Sequence, residues 1–237
     1  MGRAVLFDLY GTLVDIKTCE EGASFWQELA DWNAINLGRI ISAEQLHRDY
    51  ISLCETKIEI YGEGSVLPAV FHELLGGSVS EEQVLTFARE FRKLSTHDLQ
   101  IRSYTIPLLN RLRAEQFRLA LVSNTEGILT NYDIDHLGLR SFFDAIVLSS
   151  EVGVAKPNPE ILVKALHSIS VTPRNAIFVG DTLETDASAA RALDMPCVLI
   201  TSYPETLMAY ANCSVRVVRP VLQDIYAEVK RLSSQSQ

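Results

Sequence analysis

Five short apolar runs, separated by segments of helical periodicity, constrain the fold of this chain more than any other feature of its sequence. Each run is almost continuously apolar rather than alternating, which is typical of parallel strands covered on both faces. The runs lie at residues 3–8, 117–123, 145–149, 176–180 and 197–201, with helical patterns at 106–115, 128–132, 159–169 and 185–193. This order predicts right-handed crossovers and a doubly wound, Rossmann-like parallel α/β sheet.

One long interval interrupts this alternation. Residues 15–99 contain no comparable strand but show amphipathic helical patterns at 21–36, 42–60, 67–75 and 80–96, the last begun by a Ser80 cap with Gln83 at the third helical position. We predict a Rossmann-like core at residues 1–14 and 100–237 and a small all-helical cap at 15–99. Because the insert follows the first strand, we expect it over the carboxyl ends of the strands, where such sheets bind ligands. Its aromatic residues are expected in its own core rather than in a ligand pocket: Trp26, Trp32, Tyr50 and Tyr61.

Composition excludes several classes of protein. The 237 residues are 47% hydrophobic, which can supply a full core, and the net charge of -9 without a basic cluster disfavours nucleic acid as a partner. No apolar stretch approaches the roughly 18 residues that a membrane-spanning helix needs, and the first residues lack a signal region, so we expect a cytoplasmic protein without membrane contacts. We interpret the four widely spaced cysteines as reduced thiols, not as a zinc or disulfide framework: Cys19, Cys54, Cys197 and Cys213. The oligomeric state stays open.

Two of the predicted strands end in polar residues that suit anion or metal chemistry. Asp8 ends the first strand before a glycine-containing turn, and a buried carboxylate is costly unless it is paired or bound to a metal. A simple turn or helix-capping role is the alternative. Ser123 and Asn124 end the second strand, where a hydroxyl and an amide can hold oxyanions without adding charge. Taken alone, that pair is also a common helix cap.

Two later stretches add charged residues in comparable positions. Lys156 precedes a proline that keeps its backbone out of the helical region, so its side chain can reach inward toward an anion, unless it is a solvated surface lysine. Asp181 ends another buried strand, and Asp186 lies near a helix start, where the helix dipole alone would favour its charge. If the strands are neighbours, Asp8 and Asp181 converge, and both stay ionised only with a cation between them. Such oxygen ligands predict Mg²⁺.

These four stretches, in this order, resemble the signature motifs of the haloacid dehalogenase superfamily, and the insert after the first motif resembles that family's cap. The resemblance covers residues 3–13 and 103–201. It implies a hydrolase in which Asp8 is the nucleophile and Asp186 orients Lys156 or the waters of the metal. The implied catalytic residues are Asp8, Thr12, Ser123 and Lys156. The groups that would bind a small anionic substrate are Gly11, Ser123, Asn124 and Lys156. The implied metal ligands are Asp8, Tyr10 through its backbone carbonyl, Asp181 and Asp186.

Position 10 departs from the pattern of the phosphatases in this superfamily. Those enzymes usually carry a second Asp two residues after the nucleophile, as general acid for the leaving group and base for the water, whereas this chain has Tyr10. A free tyrosine titrates near about 10, which makes it a poor base at neutral pH. Losing a positioned acid or base typically costs about 10²–10⁴-fold in rate.

The same Asp-x-Tyr-Gly-Thr pattern resembles the metal-independent 2-haloacid dehalogenases, which are the main alternative. Those enzymes replace the Gly-Asp of the fourth motif with a Ser-Ser-Asn-like sequence, whereas this chain keeps Gly180 and Asp181. They also bind the substrate carboxylate through an arginine in a Trp-Arg-x-Lys-Gln-like context, a setting that neither Arg39 nor Arg48 has. We therefore expect a Mg²⁺-dependent phosphatase acting on a small phosphorylated metabolite. A non-catalytic phosphate- or metal-binding protein of the same fold is the third reading.

Overall fold

The computed structural model describes residues 2–61, 65–203 and 215–235, which belong to two compact units. The first unit comprises Met1–Asp15, Gln100–Thr125 and Leu137–Gln237, and the second comprises Ile16–Leu99 and Glu126–His136. This grouping differs from the predicted division at Asp15, which the prediction places in the cap, and at residues 126–136, which contain the helix Gly127–His136 and which the prediction places in the Rossmann-like core. That helix packs Leu129 into the aromatic cluster of the second unit, so its apolar face belongs there.

The described elements alternate between strands and helices outside the insert. In chain order, the strands are β1 (Ala4–Phe7), β2 (Val14–Thr18), β3 (Thr96–Ile101), β4 (Arg118–Ser123), β5 (Ala145–Leu148), β6 (Ala176–Gly180), β7 (Cys197–Ile200) and β8 (Val215–Val218). The α-helices are α1 (Ala23–Leu37), α2 (Ala43–Tyr61), α3 (Leu67–Leu74), α4 (Glu81–Ser95), α5 (Thr105–Ala114), α6 (Gly127–His136), α7 (Ser149–Val152), α8 (Glu160–Ser168), α9 (Ser188–Arg191) and α10 (Leu222–Gln235). A π-helical turn, Leu183–Ala187, precedes α9.

The first unit is built on a parallel sheet whose described strands follow the order β5-β4-β1-β6-β7-β8. The chain moves outward from β1 through β4 and β5 on one side, then returns to β6 and moves outward on the other. This confirms the predicted doubly wound, Rossmann-like fold. Phe7 at the end of β1 is in register with Leu121 of β4 and Val179 of β6, so the carboxyl ends of these three strands lie side by side. β8 lies outside the predicted strands, because its run is interrupted by Arg216 and its two central residues are only partly buried.

The core of the first unit lies on both faces of β1. All four residues of β1 are at most 1% exposed, which explains why the run lacks polar alternation. On one face, Leu6 and Phe178 share a cluster with Ile161 and Leu162 of α8. This packing fixes the positions of the strand ends, where the polar residues begin.

The second unit contains the predicted helices α1 to α4 together with α6. Ser80 caps α4 by accepting the Gln83 N–H while the Gln83 side chain accepts the Ser80 N–H, which confirms the predicted helix start. Aromatic rings fill the interior, and the ring centroid of Phe91 lies 5.1 Å from the ring centroids of both Phe25 and Phe71. Trp26 and Tyr50 are buried in this cluster, as expected, and Trp32 packs against it; the side chain of Tyr61 lies outside the described residues.

A buried ion pair joins two helices of the second unit. Arg92 of α4 donates through Nε and Nη2 to Asp133 Oδ2 of α6, at 2.8 and 2.7 Å. Charges as buried as these are stable only when paired, so the ion pair fixes α6 against α4.

β2 and β3 form a separate two-stranded sheet where the chain leaves for residues 16–99 and returns from them. These two strands correct the predicted all-helical insert at residues 15–99. The residues of β2 after Val14 are at least partly exposed and mostly polar, so β2 lacks the apolar run that marks a buried strand. Among the described residues, no helix is long and apolar enough to cross a membrane. The described cysteines, Cys19, Cys54 and Cys197, are free thiols, as expected, and Cys213 lies outside the described residues.

Candidate active site

The four polar stretches of the sequence meet at the carboxyl edge of the parallel sheet. Asp8 directly follows β1, and its N–H donates to the Val179 carbonyl of β6 at 2.9 Å. Ser123 ends β4 on one side of β1, and Asp181 follows β6 on the other. Because β1 is central, its terminal carboxylate lies between the ends of the two neighbouring strands. Every residue of this site belongs to the first unit.

Lys156 lies at the centre of the charged groups. Its Nζ donates to Asp8 Oδ1 at 2.7 Å and to the Val122 carbonyl oxygen at 3.1 Å, and it forms an ion pair with Asp186 Oδ1 at 2.7 Å. The side chain is buried, which excludes the surface-lysine alternative. Burial lowers the pKa of Lys156, but the charges of Asp8 and Asp186 outweigh it and the pKa lies above its usual value. The ammonium group therefore stays protonated at neutral pH.

Two polar residues at the end of β4 have different partners. The Ser123 hydroxyl donates to Asp8 Oδ1 at 3.2 Å. Asn124 instead bonds the backbone of Lys156 twice: its Nδ2 donates to the Lys156 carbonyl at 2.7 Å, and its Oδ1 accepts the Lys156 N–H at 2.8 Å. Both polar atoms of the Asn124 side chain therefore hold the segment that presents Lys156. The substrate-binding role assigned to Asn124 stays a prediction.

Three carboxylates converge beside Lys156. Asp8, Asp181 and Asp186 each offer an oxygen within 4.8 Å of the other two. Asp186 Oδ2 is held by the N–H groups of Asp181 and Thr182 at 3.0 and 3.1 Å, and the Thr182 hydroxyl donates to Asp181 Oδ1 at 3.2 Å. These contacts fix the direction of both carboxylates, and Asp186 Oδ1 also pairs with Lys156; the orienting role assigned to Asp186 stays a prediction.

The electrostatics of this cluster favour an added cation. Burial raises the pKa of Asp8 to about 6 against the opposing charge of Lys156, with the Asp186 charge raising it further. Burial, followed by the Asp186 charge, likewise raises the pKa of Asp181. Lys156 offsets one of the three negative charges, and a divalent cation would offset the other two. Oxygen ligands alone suit a hard ion such as Mg²⁺, so the residues present fit the predicted metal.

The loop after Asp8 is a tight turn closed on the Leu9 carbonyl. That carbonyl accepts the N–H groups of Leu13 and Val14 at 2.7 and 3.0 Å. Gly11 has φ +81°, and a Cβ added there would lie 2.1 Å from Asp181 Oδ2, so glycine is required both by the backbone and by the neighbouring carboxylate. This close approach places the loop directly against the Asp181 carboxylate.

Thr12 and Tyr10 differ in exposure within this loop. Thr12 is fully buried, and among the described residues its Oγ1 has no hydrogen-bond partner. Tyr10 is half-buried and its backbone pairs with Val14. The metal bond from the Tyr10 carbonyl and the catalytic role of Thr12, both implied by the resemblance, stay predictions. Of the two arginines considered for carboxylate binding, Arg48 is exposed and donates to Gln45 Oε1 at 2.8 Å.

Sequence reasoning missed several groups that support the site. The Val122 carbonyl and the Thr182 side chain give no sequence signal, because a backbone acceptor is invisible in a motif and a threonine after aspartate is common. Tyr104 is buried and its hydroxyl donates to the Thr12 carbonyl. It stands ninety residues along the chain from that loop, so neither spacing nor periodicity could connect the two.

Comparison with known proteins identifies the family. A model described as haloacid dehalogenase-like hydrolase matches residues 3–194, which contain all the site residues described above. The chain belongs to the haloacid dehalogenase-like hydrolase family. This hydrolase is 31% identical over 214 residues to the glyceraldehyde 3-phosphate phosphatase of Methanopyrus kandleri, and the match covers 84% of each chain.

Two solved structures named for different reactions, a phosphatase and a dehalogenase, share this fold. A haloacid dehalogenase-family phosphatase from Thermococcus onnurineus matches with a TM-score of 0.60 and 23% identity, over 96% of this chain and 97% of that one. A 2-haloacid dehalogenase from Pseudomonas syringae pv. Tomato DC3000 matches with a TM-score of 0.63 and 21% identity, over 100% of both chains. At these identities the likeness shows the fold alone, so the reaction must be argued from the site.

Proposed function

We propose that this hydrolase is a Mg²⁺-dependent phosphatase that acts on a small phosphorylated metabolite through an aspartyl-phosphate on Asp8. The observation that carries the proposal is the oxygen triad of Asp8, Asp181 and Asp186 beside the buried ammonium group of Lys156. A phosphoryl group carries charge on its equatorial oxygens, and a lysine with a divalent cation is the kind of site that stabilises that charge. The name of the Methanopyrus kandleri relative supports a small phosphate ester as substrate.

Asp8 is the proposed nucleophile. One of its carboxylate oxygens attacks phosphorus in line, the new oxygen–phosphorus bond forms, and the bond from phosphorus to the ester oxygen breaks. The leaving oxygen then takes its proton from solvent. In the second step a water molecule attacks the phosphorus of the aspartyl-phosphate, which releases inorganic phosphate and restores the Asp8 carboxylate.

The residues around Asp8 bind and orient the transferring group. Lys156, held by Asp186 at 2.7 Å, keeps its charge beside the attacking carboxylate and neutralises the phosphoryl oxygens. The Ser123 hydroxyl, 3.2 Å from Asp8 Oδ1, can turn to donate to a phosphoryl oxygen instead. Asp8, Asp181 and Asp186 would hold Mg²⁺, with the Tyr10 carbonyl as a further proposed ligand. When bound, Mg²⁺ supplies Lewis-acid stabilisation of phosphoryl charge.

A haloacid dehalogenase is the second candidate function, because Tyr10 stands where phosphatases of the family carry a general acid. A halide needs no proton to leave, so a dehalogenase would tolerate Tyr10. The carboxylate triad weighs against this candidate, since chemistry without a metal has no use for three converging acids. A phosphate- or metal-binding protein without turnover is the third candidate.

One assay separates these three functions. Purified protein is incubated with p-nitrophenyl phosphate and, separately, with 2-chloropropionate, each with Mg²⁺ and with a chelator. We expect phosphate release that requires Mg²⁺, and no chloride release. Chloride release that resists the chelator would instead select the dehalogenase. If none of the four reactions released phosphate or chloride, and calorimetry detected Mg²⁺ binding, the result would select the binding protein.

A glycine substitution tests the geometry of the metal site without changing a ligand. Gly11→Ala places a Cβ 2.1 Å from Asp181 Oδ2 and should displace that carboxylate. We expect Mg²⁺ affinity to fall by about 10–100-fold, measured by isothermal titration calorimetry. Gly138→Ala is the matched control, because Gly138 also has positive φ, +66°, but nothing lies within 4 Å of an added Cβ. Equal Mg²⁺ affinity in the two variants would contradict the proposed site.

A further inference from the structure

The loop that follows Asp8 is held from outside by the segment where the chain returns from residues 16–99. The Tyr104 hydroxyl donates to the Thr12 carbonyl, and the Thr105 Oγ1 donates to the Leu13 carbonyl at 2.8 Å. The Arg102 N–H donates to the same Leu13 carbonyl at 3.0 Å. The described donors to these two consecutive carbonyls from outside the loop are therefore three residues, Arg102, Tyr104 and Thr105, which we call the clamp.

The clamp lies where both covalent connections to the insert converge. Asp15 is the last residue of the first unit before residues 16–99, and Gln100 is the first residue after them. On this boundary Arg102 donates to Asp15 Oδ1 through Nε and Nη2, at 3.0 and 2.7 Å. This ion pair ties the outgoing chain to the returning chain within the first unit, but it is separate from the clamp because it touches neither loop carbonyl.

We infer that Tyr104 and Thr105 are positioning residues for catalysis: they hold the loop after Asp8 in its working geometry through the Thr12 and Leu13 carbonyls. The kinetic part of this inference rests on the proposed function. A carbonyl that loses its donor turns to find another, and the whole turn is only a few residues long. Its N–H groups and the Asp8 oxygens would then miss the phosphoryl group, although the rest of the substrate would still bind. Loss of the clamp therefore lowers kcat more than it raises KM.

The two positioning residues differ in how well water could replace them. Tyr104, Arg102 and Ser103 line a cavity of about 440 Å³, so water can approach the Tyr104 side of the clamp. Thr105 is fully buried and does not line that cavity. Without this hydroxyl the Leu13 carbonyl would keep only the Arg102 N–H, and no solvent could supply a second donor, so Thr105 is the position to test first.

The test compares Thr105→Val, which removes the hydroxyl at nearly constant volume, with Thr105→Ser, which keeps it. We expect Thr105→Val to lower kcat for p-nitrophenyl phosphate by about tenfold with KM changed less than about twofold, and Thr105→Ser to restore most of the loss. Tyr104→Phe, which keeps the ring but removes the hydroxyl, is expected to lower kcat in the same way. It replaces Thr105→Val as the test variant if Thr105→Val does not fold. Asp15→Asn is the control, because it removes an exposed ion pair without touching either loop carbonyl.

Hydrogen–deuterium exchange gives a readout that does not require turnover. In Thr105→Val, but not in Thr105→Ser or Asp15→Asn, we expect faster exchange in peptides covering residues 9–14. Equal exchange and equal kcat in the Val and Ser variants would overturn the clamp. If the wild-type protein released no phosphate, the proposed function would fail, while the exchange comparison would still decide whether the clamp holds the loop.

Discussion

Asp8→Asn is expected to abolish turnover, with a fall in kcat of at least about 10⁴-fold. The carboxamide keeps the size of the side chain but is not a nucleophile, so no aspartyl-phosphate can form. Lys156 keeps its 2.7 Å ion pair with Asp186, so its charge stays compensated and the variant should fold. Phosphate release from p-nitrophenyl phosphate measures the loss, and circular dichroism checks the fold.

The control for this prediction is Asp15→Asn, seven residues away in β2. Asp15 is exposed and pairs with Arg102, so its neutralisation should leave turnover nearly unchanged. Acid quenching of the wild-type reaction, followed by mass spectrometry of the peptide that contains Asp8, should detect a phosphoryl adduct that Asp8→Asn lacks. Wild-type-like turnover in Asp8→Asn, or an adduct on another residue, would reject the nucleophile.

The strand ends show which parts of the site a sequence can predict. Asp8, Ser123 and Asp181 each follow a continuously apolar run, and parallel strands bring their carboxyl ends to one edge. Their convergence therefore follows from periodicity and crossover handedness alone. Lys156 is harder to place from the sequence, since the proline after it permits an inward side chain but does not exclude a solvated one. The structure shows the cause: Asn124 holds the Lys156 backbone through two hydrogen bonds, and these cross 32 positions of sequence.

The features that the sequence did not predict depend on contacts between distant residues. Because helix α6 lies between β4 and β5 in the sequence, the pattern predicts that it belongs to the Rossmann-like core. Its packing with the second unit depends on Leu129 in an aromatic cluster and on Asp133 beside Arg92, 41 residues away. Tyr104 and Thr105 likewise act on carbonyls 92 residues away. Such partners leave no periodic signal, because a hydrogen bond to a backbone carbonyl can come from any nearby hydroxyl.

Tyr10→Asp is expected to raise activity, which few substitutions beside a catalytic residue do. The new carboxyl group would stand two residues after Asp8, where it can protonate a leaving oxygen and then accept a proton from the attacking water. We expect kcat for an alkyl phosphate such as glycerol phosphate to rise by about 10²–10⁴-fold. For p-nitrophenyl phosphate, whose leaving group needs no proton, the rise should be much smaller. Tyr10→Asn is the matched control, because asparagine has nearly the size of aspartate but no acidic group.

The dependence on leaving group is what makes this experiment decisive about position 10. A gain confined to alkyl phosphates means that Tyr10 limits protonation of the leaving group. We would then expect native substrates whose leaving groups depart without being protonated, such as acyl phosphates. An equal gain with both esters in the Asp and Asn variants would instead mean that the tyrosine ring restricts entry to the site, and that its missing acid is irrelevant. Tyr10 is half-buried, and the backbone of its loop is fixed by the Leu9 carbonyl and by the clamp. Either variant is therefore expected to change the side chain while the backbone of the loop keeps its position.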